Sequence, residues 1–262
     1  MNSELNIKWY DRPWAAFIFF TRLPLWRLHQ PPQEAYQSVV ELWPLVGWLT
    51  GGAMAATLYL GSMFMPYPLA ILLAIVVRMM LTGALHEDGL ADFFDGFGGG
   101  PNRERILAIM KDSHVGSYGV LALVLYLAML FTSLLFIGSP LYAALTIFAA
   151  DAYARMLAAQ FVGMLPYART AEEAKARVVY RKPTLWAGIG LALQGLLPLA
   201  ALLWWLGDKV DWAAVVFVPA LVMYFLYVFV RRRIGGYTGD CCGAVVLMVE
   251  LACYLTMACC LS

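Results

Sequence analysis

The chain has 262 residues, of which 62% are apolar and only 13% are charged. An ordinary soluble domain is about half apolar and about a quarter charged, and a soluble fold of this length cannot hide so much apolar surface. The net charge of +1 argues against a nucleic-acid partner, which would require a strong basic excess. Composition therefore predicts an all-α, polytopic integral membrane protein.

The first predicted element precedes the membrane spans. The apolar run Trp14–Phe20 is shorter than a spanning helix needs, so no cleavable signal is expected. The segment Trp9–Trp26 mixes aromatic residues with arginines, which predicts an N-terminal interfacial helix that stops near Pro24. An ordinary packed helix is an equal alternative.

Hydropathy then predicts about seven transmembrane helices. Their approximate ranges are 42–64, 69–86, 117–137, 141–163, 184–206, 212–230 and 242–261. The connections on one side hold fifteen Lys and Arg residues and those on the other hold one, which predicts a cytoplasmic N-terminus. Trp43 and Trp204 fall near span ends, as interfacial anchors do. Residues 1–262 are expected to form a single domain, with an active-site loop at about 86–119.

Three aspartates lie close together in this loop. Asp88, Asp92 and Asp95 stand at i, i+4 and i+7, within roughly 60° of one another on a helical face. Carboxylates this close repel one another unless a cation neutralises them, and magnesium commonly joins a couple of carboxylates to substrate phosphates. The spacing therefore predicts a magnesium–phosphate site, with solvated charges as the alternative. Asp112 is either a fourth ligand or a helix N-cap.

The same loop carries groups suited to phosphate. Backbone without side chains at Gly96 and Gly99 can approach a phosphate closely, although a flexible turn has the same composition. Arg103, Arg105 and Lys111 supply cations, and arginine is well shaped for bidentate phosphate contacts. Charge at the membrane surface explains any one of these cations equally well.

Ionisable residues also fall within the predicted spans. Asp151 and Arg155 are one helical turn apart, so they form either an internal ion pair or part of a substrate path. Thr238, Gly239 and Asp240 precede the last span on the cytoplasmic side. Because all the polar candidates reach one membrane face, the sequence predicts a single site.

One long motif carries a family resemblance. HEDGLADFFDGFGGG, beginning at His86, and the following RERILAIMKDSHVGSYG resemble the signature of the cobalamin synthase (adenosylcobinamide-GDP ribazoletransferase) family. The strings FFTRLP, WPLVG and GGYTGD extend the likeness from near the N-terminus to the last span. Glu87 departs from the family, which usually has an apolar residue there, and the pair Phe93 and Phe94 is often smaller in relatives.

The resemblance implies a magnesium-dependent enzyme in the cytoplasmic (inner) membrane of a bacterium, with its active site facing the cytoplasm. Such an enzyme joins α-ribazole, or its 5′-phosphate, to adenosylcobinamide-GDP. It releases GMP and forms adenosylcobalamin or its 5′-phosphate. The implied partners are these substrates and the lipid bilayer. A homo-oligomer or a membrane complex with other cobalamin-pathway enzymes is also compatible with the sequence.

The resemblance and the residue types together assign roles to the site residues. Magnesium is expected on Asp88, Asp92, Asp95 and Asp112, and Asp92 or Asp240 is expected to accept the proton of the ribazole 5′-hydroxyl. The expected substrate-binding residues are His86, Gly96, Gly99, Arg103, Arg105, Lys111, Ser113, Arg155, Thr238, Gly239 and Asp240.

Other membrane proteins are the alternatives. A CDP-alcohol phosphotransferase-like enzyme is one, although Pro101 and Asn102 replace the alanine–arginine pair of that signature. A prenyl diphosphate membrane transferase is another, although only one dense aspartate cluster is present. A transporter is less expected, because most of the charge lies at the cytoplasmic boundary and no repeat is visible.

Overall fold

The computed structural model describes residues 7–169 and 180–261. Its helices are α1 (Asp11–Phe20), α2 (Trp43–Gly61), α3 (Tyr67–Thr82), α4 (Leu85–Gly99), α5 (Arg103–Lys111), α6 (Ser117–Ile137), α7 (Pro140–Met164), α8 (Leu185–Leu206), α9 (Trp212–Ile234) and α10 (Gly239–Leu261). Within these residues, six helices are long and apolar enough to cross a membrane, or seven if the bent pair α3–α4 forms one span. The prediction of an all-α, polytopic membrane protein with about seven spans is confirmed.

Local capping chemistry sets the ends of the long helices. Side-chain oxygens of Ser139, Thr184 and Asp211 accept backbone N–H bonds in the first turns of α7, α8 and α9, which satisfies donors that have no intrahelical partner. Gly138 and Gly235 adopt positive φ and end α6 and α9, as glycine does more easily than other residues. The predicted bounds of α6, α7 and α8 agree with the observed ones to within one residue.

The second predicted span, 69–86, is wrong at its end. α3 stops at Thr82, and Gly83 and Ala84 follow with φ of 66° and 54°, in the left-handed region that an L-residue such as alanine rarely adopts. The chain then turns by 89° into α4. The expected active-site loop therefore begins with two helices, α4 and α5, and His86 lies in the first turn of α4 instead of at the end of a span.

The N-terminal helix is shorter than predicted. α1 ends at Phe20, before Pro24, because Thr21 is extended and its hydroxyl donates to the Phe17 carbonyl at 2.6 Å. Ala15 and Ala16 are fully buried, and α1 packs against the 3-10 segment Gln33–Leu42. The alternative of a packed helix is therefore confirmed for this face of α1.

Helix α7 occupies the centre of the bundle and α9 its edge. In the most apolar window of each helix, 78% of α7 is buried but only 17% of α9. Small residues bring α2 against α7, since a Cβ atom at Gly51 would lie 2.9 Å from the Asp151 Cβ. Close approach through small residues is the usual means of helix packing in membranes. The exposed Phe217, Leu221 and Phe225 of α9 suit a surface that faces lipid.

A buried charge network ties three helices together. The Arg78 guanidinium of α3 donates to both carboxylate oxygens of Glu250 in α10, at 2.6 and 2.7 Å, and to the Tyr126 hydroxyl of α6 at 2.6 Å. The Tyr254 hydroxyl also donates to Glu250. Glu87, the departure from the family pattern, lies 3.7 Å from the same guanidinium. Charges in an apolar interior persist only when paired, so this network fixes how α3, α6 and α10 meet.

The first turns of α4 and α10 cross in backbone contact. A Cβ atom at Gly89 would lie 3.1 Å from the Asp240 carbonyl oxygen and 3.2 Å from its Cα. In the other direction, a Cβ atom at Gly243 would lie 3.4 Å from the Cα of His86. Glycine at these two positions thus brings residues 86–89 and 239–243 together.

The two ends of the bundle differ in charge and in the length of their connections. At one end, short connections join the helices, the Tyr67 hydroxyl donates to the Leu134 carbonyl, and the Lys209 ammonium donates to the Tyr142 hydroxyl. At the other end, where α4 and α10 begin, Arg103 reaches from α5 to the last residue of α9. This second end carries the arginine-rich connections.

Breaking the Arg78–Glu250 pair should destabilise the fold. An Arg78→Met variant leaves Glu250 charged and buried without its partner, so we expect the free energy of unfolding to fall by about 3 kcal/mol. Thermal unfolding of the detergent-purified protein measures this loss. The exposed Arg232→Met is the matched control and should change stability by less than about 0.5 kcal/mol. Equal midpoints for the two variants would contradict a stabilising role for the pair.

The α4–α10 crossing should not tolerate a side chain. Gly89→Ala places a Cβ atom against the backbone of Asp240, which cannot move alone, and we expect a loss of about 1–3 kcal/mol. Gly188→Ala in α8 places its Cβ in open space and should be neutral or slightly stabilising, because alanine favours helix. The same thermal measurement compares them. A Gly89→Ala protein as stable as Gly188→Ala would mean that the crossing is loose.

Candidate active site

A cleft opens where the first turns of α4 and α10 cross. It encloses about 770 Å³ of atom-free space, counting its open mouth. His86 and Asp88 reach it from α4, and Gly239 and Asp240 reach it from α10. Arg169, from the connection after α7, supplies a cation. Residues far apart in sequence therefore form one polar site at the arginine-rich end of the bundle.

Two helix N-termini meet at this cleft. The first backbone N–H groups of a helix have no intrahelical acceptor and carry a partial positive charge, which suits a phosphate group. Gly239 leaves this space open, because a Cβ atom there would meet nothing within 4 Å. Thr238 is fully buried and its hydroxyl accepts a bond from the Cys241 N–H at 3.2 Å. The expected substrate contact at Thr238 is thus replaced by a capping role that positions Gly239 and Asp240.

Arg169 is a site residue that the sequence did not single out. Its side chain is only 4% exposed, and its guanidinium lies 4.0 Å from the Asp240 carboxylate and donates to the Leu107 carbonyl. Backbone bonds between Ala168 and Tyr237, and between Tyr237 and Pro166, hold the connection in place. The sole sequence feature that pointed here was the high Lys and Arg content of residues 164–183, of which the structure describes only the ends.

The three aspartates of α4 do not form one metal site. Asp88 is exposed and lines the cleft, whereas Asp92 is buried one turn further on and is not among the described lining residues. The Asp95 carboxylate accepts the backbone N–H groups of Gly116 and Gly119 at 2.7 and 2.8 Å. It therefore caps α6 instead of facing the cleft. In residues 7–169 and 180–261, no three His, Cys, Asp or Glu side chains are grouped to hold a metal ion.

The glycine run is a packing surface, not a phosphate loop. Gly96 and Gly99 belong to α4, and α5 packs across them. A Cβ atom at Gly96 would lie 2.7 Å from the Met110 Cγ, and one at Gly99 would lie 3.4 Å from the Ile109 Cδ1. The expectation that these glycines bind phosphate is corrected, because their missing side chains make room for α5.

The cations of α5 do not line the cleft. Arg103 donates to the backbone carbonyls of Ile234 and Ala168 at 2.9 and 2.7 Å, so it holds connections together. Arg105 and Lys111 are exposed on α5, and Ser113 is exposed just after it. The expected phosphate contacts of these four residues are not supported by their positions in this structure.

Asp112 has a local partner in place of the expected metal. Its carboxylate accepts the backbone N–H of His114 at 3.0 Å and contacts the His114 ring at 2.6 Å. The hydrogen bond from the His114 side chain lowers the pKa of Asp112. The residue ends α5 and lies exposed; it is not among the described lining residues of the cleft, and the N-cap of α6 is Gly116.

Arg155 supports the site from within the bundle. It is 2% exposed and donates to Asp151 at 2.5 Å and to the Thr50 hydroxyl at 3.1 Å. A third guanidinium nitrogen lies 3.3 Å from Nε2 of His86. The internal ion pair with Asp151 is confirmed, and the expected phosphate clamp at Arg155 is replaced by a contact that orients the His86 ring.

Aromatic rings form the remaining wall of the cleft. Phe20 and Trp43 are stacked, with centroids 5.3 Å apart and planes 14° apart, and the His86 ring is nearly parallel to both. Tyr167 and Tyr180 complete the wall, and burial raises the pKa of both tyrosines. The prediction of Trp43 as an interfacial anchor is wrong, since it is 3% exposed; Trp204, at 85% exposed, fits that description.

Comparisons with known proteins identify the family of this chain. The family model described as cobalamin-5-phosphate synthase matches residues 12–258. The adenosylcobinamide-GDP ribazoletransferase of Leptothrix cholodnii is 37% identical over 245 residues, covering 92% of each chain. That of Shewanella frigidimarina is 36% identical over 258 residues, covering 96% of this chain and 97% of the relative. No solved structure gives a significant match. Because the family model and these relatives span nearly its whole length, the chain belongs to the cobalamin-5-phosphate synthase family.

Proposed function

We propose that this protein is an adenosylcobinamide-GDP ribazoletransferase, the activity for which its relatives are named. It transfers the phosphoadenosylcobinamide moiety of adenosylcobinamide-GDP to α-ribazole, or to α-ribazole 5′-phosphate, and releases GMP. The observation that carries the proposal is the cleft in which Asp88, Arg169 and Asp240 meet the first turns of two helices. Family membership favours this activity over that of a CDP-alcohol phosphotransferase, a prenyl diphosphate transferase or a transporter.

The cleft suits a diphosphate that arrives with magnesium. The helix N-termini and Arg169 attract phosphate oxygens, whereas Asp88 and Asp240 would repel them without an intervening cation. Magnesium usually binds through one or two carboxylates together with substrate phosphates, and the exposed Asp88 carboxylate fits that need. When bound there, magnesium would neutralise charge on the leaving phosphate. This assignment rests on one carboxylate of the predicted set, because Asp95 and Asp112 have other partners.

Asp240 is the better placed of the two candidate bases. It lines the cleft beside Arg169, whereas Asp92 is not among the described lining residues. In the reaction, a ribose hydroxyl oxygen bonds to the phosphorus on the cobinamide side, the bond to GMP breaks, and Asp240 accepts the hydroxyl proton. The nucleophile cannot be the 5′-hydroxyl that was expected. When the acceptor is α-ribazole 5′-phosphate, its 5′ oxygen already carries a phosphate group, and the product keeps that group.

The proposed location is the inner membrane of a bacterium, with the cleft facing the cytoplasm. The cleft lies at the end of the bundle that carries Arg103, Arg169 and the three arginines at the end of α9, and the opposite end carries Lys209. The positive-inside rule supports a cytoplasmic position for the arginine-rich end. A cytoplasmic cleft would receive nucleotide substrates directly.

The proposed reaction predicts two coupled products. Purified protein in lipid, given adenosylcobinamide-GDP, α-ribazole and magnesium, should form GMP and adenosylcobalamin in equal amounts. Chromatography measures both products. Omitting α-ribazole should abolish both products, because the attacking hydroxyl is then missing. EDTA should stop the reaction, and added magnesium should restore it. Release of GMP without a cobamide would indicate hydrolysis and contradict the transferase proposal.

Substitutions should separate the cleft carboxylates from those elsewhere. We expect Asp88→Asn and Asp240→Asn to lower kcat by about 10²-fold or more, because each removes a charge that acts on the reacting groups. Asp88→Asn should also raise the magnesium concentration needed for half-maximal rate. Asp112→Asn makes the same chemical change outside the cleft and is the matched control. Equal losses at Asp112 and Asp88 would mean that the metal site has been misplaced.

A further inference from the structure

We propose that the aromatic wall of the cleft binds the planar base of α-ribazole. The aromatic wall consists of Phe19, Phe20, Trp43, Tyr167 and Tyr180. The inference rests on the proposed transferase function and adds which part of which substrate contacts these rings. It also assigns recognition of the α-ribazole base to residues that lie outside the acidic motif.

The geometry of the wall suits a flat ring system. The Phe20 and Trp43 rings lie 14° from parallel, and the His86 ring lies 10° and 22° from them. Three side chains from α1, α2 and α4 therefore align their ring planes at one place. Bases stack favourably on such surfaces because each base presents a π face.

The cleft presents both charged groups and aromatic rings, which a nucleoside can contact together. Its polar groups, Asp88, Arg169 and Asp240, belong to the α4, α7–α8 and α10 segments, and the aromatic wall faces the same space. A ligand that contacts both sets of groups carries an aromatic ring together with hydroxyl or phosphate groups.

The chemistry of the wall favours the ribazole base over guanine. Guanine presents several donors and acceptors at its edge, and burying each without a partner costs about 1–3 kcal/mol. The polar side-chain groups of the aromatic wall are the Tyr167 and Tyr180 hydroxyls and the buried Trp43 indole N–H, a single donor that has no hydrogen-bond partner among the described residues. The benzimidazole of α-ribazole presents a single ring-nitrogen acceptor and an otherwise apolar edge. It can therefore be buried against these rings with little unsatisfied polarity.

Binding measurements test the inference without requiring turnover. Equilibrium dialysis of labelled α-ribazole and, separately, labelled GDP against the full-length protein in lipid gives two dissociation constants for each variant. We expect Trp43→Leu and Phe20→Leu to raise the Kd for α-ribazole by about tenfold or more, as loss of a base–aromatic stack does. The Kd for GDP should stay within about twofold. Trp43→Phe keeps a flat ring and should retain most of the affinity.

Two further variants control for a general effect of losing a large aromatic side chain and for misfolding. Trp204→Leu makes the same change at an exposed tryptophan away from the cleft and should leave both constants unchanged. Tyr180→Leu tests the wall from the opposite part of the chain, should either buried variant fail to fold. A selective loss of GDP affinity would place guanine on the wall and overturn the inference, and so would unchanged α-ribazole affinity in all three leucine variants of the wall. Failure of the transferase function would instead appear as an absence of GMP and cobamide from the wild-type protein.

Discussion

The site depends on one contact, the crossing of α4 and α10 through glycine. Gly89 lies against the backbone of Asp240, and Gly243 lies against His86, so the two helix starts approach more closely than side chains would allow. This approach places Asp88 and Asp240 in the same cleft although they are far apart in sequence. It also brings the N-termini of two helices to one cleft, which neither helix could achieve alone.

Charges buried below the crossing hold it in place. Arg78 pairs with Glu250, and Arg155 pairs with Asp151 while reaching His86. Such pairs add specificity to helix packing in an apolar environment, where hydrophobic burial alone does not select one arrangement. These ion-paired residues within the spans therefore act as structural supports for the site.

The sequence predicted the helices well, because apolar length and capping residues are local properties. Asp88 and Asp240, both singled out in the sequence, line the cleft, and their roles there stay predictions. The sequence failed where a residue's partner comes from another segment. The sequence around Asp95 does not show that its carboxylate accepts the Gly116 and Gly119 amides. In the same way, the local sequence does not show that α5 packs over Gly96, or that Arg169 reaches Asp240. Spacing placed three aspartates on one helical face, but tertiary contacts gave them three different surroundings.

The left-handed turn at Gly83 and Ala84 has a consequence for how deep the chemistry lies. Because α3 ends there and α4 departs at 89°, α4 runs across the end of the bundle instead of along it. The inner face of α4 carries the buried Glu87, which lies 3.7 Å from the Arg78 guanidinium, and its outer face carries the exposed Asp88. Helix α4 thus separates the ion-paired interior from the exposed side that carries Asp88, so the proposed reaction at Asp88 would take place outside the buried interior.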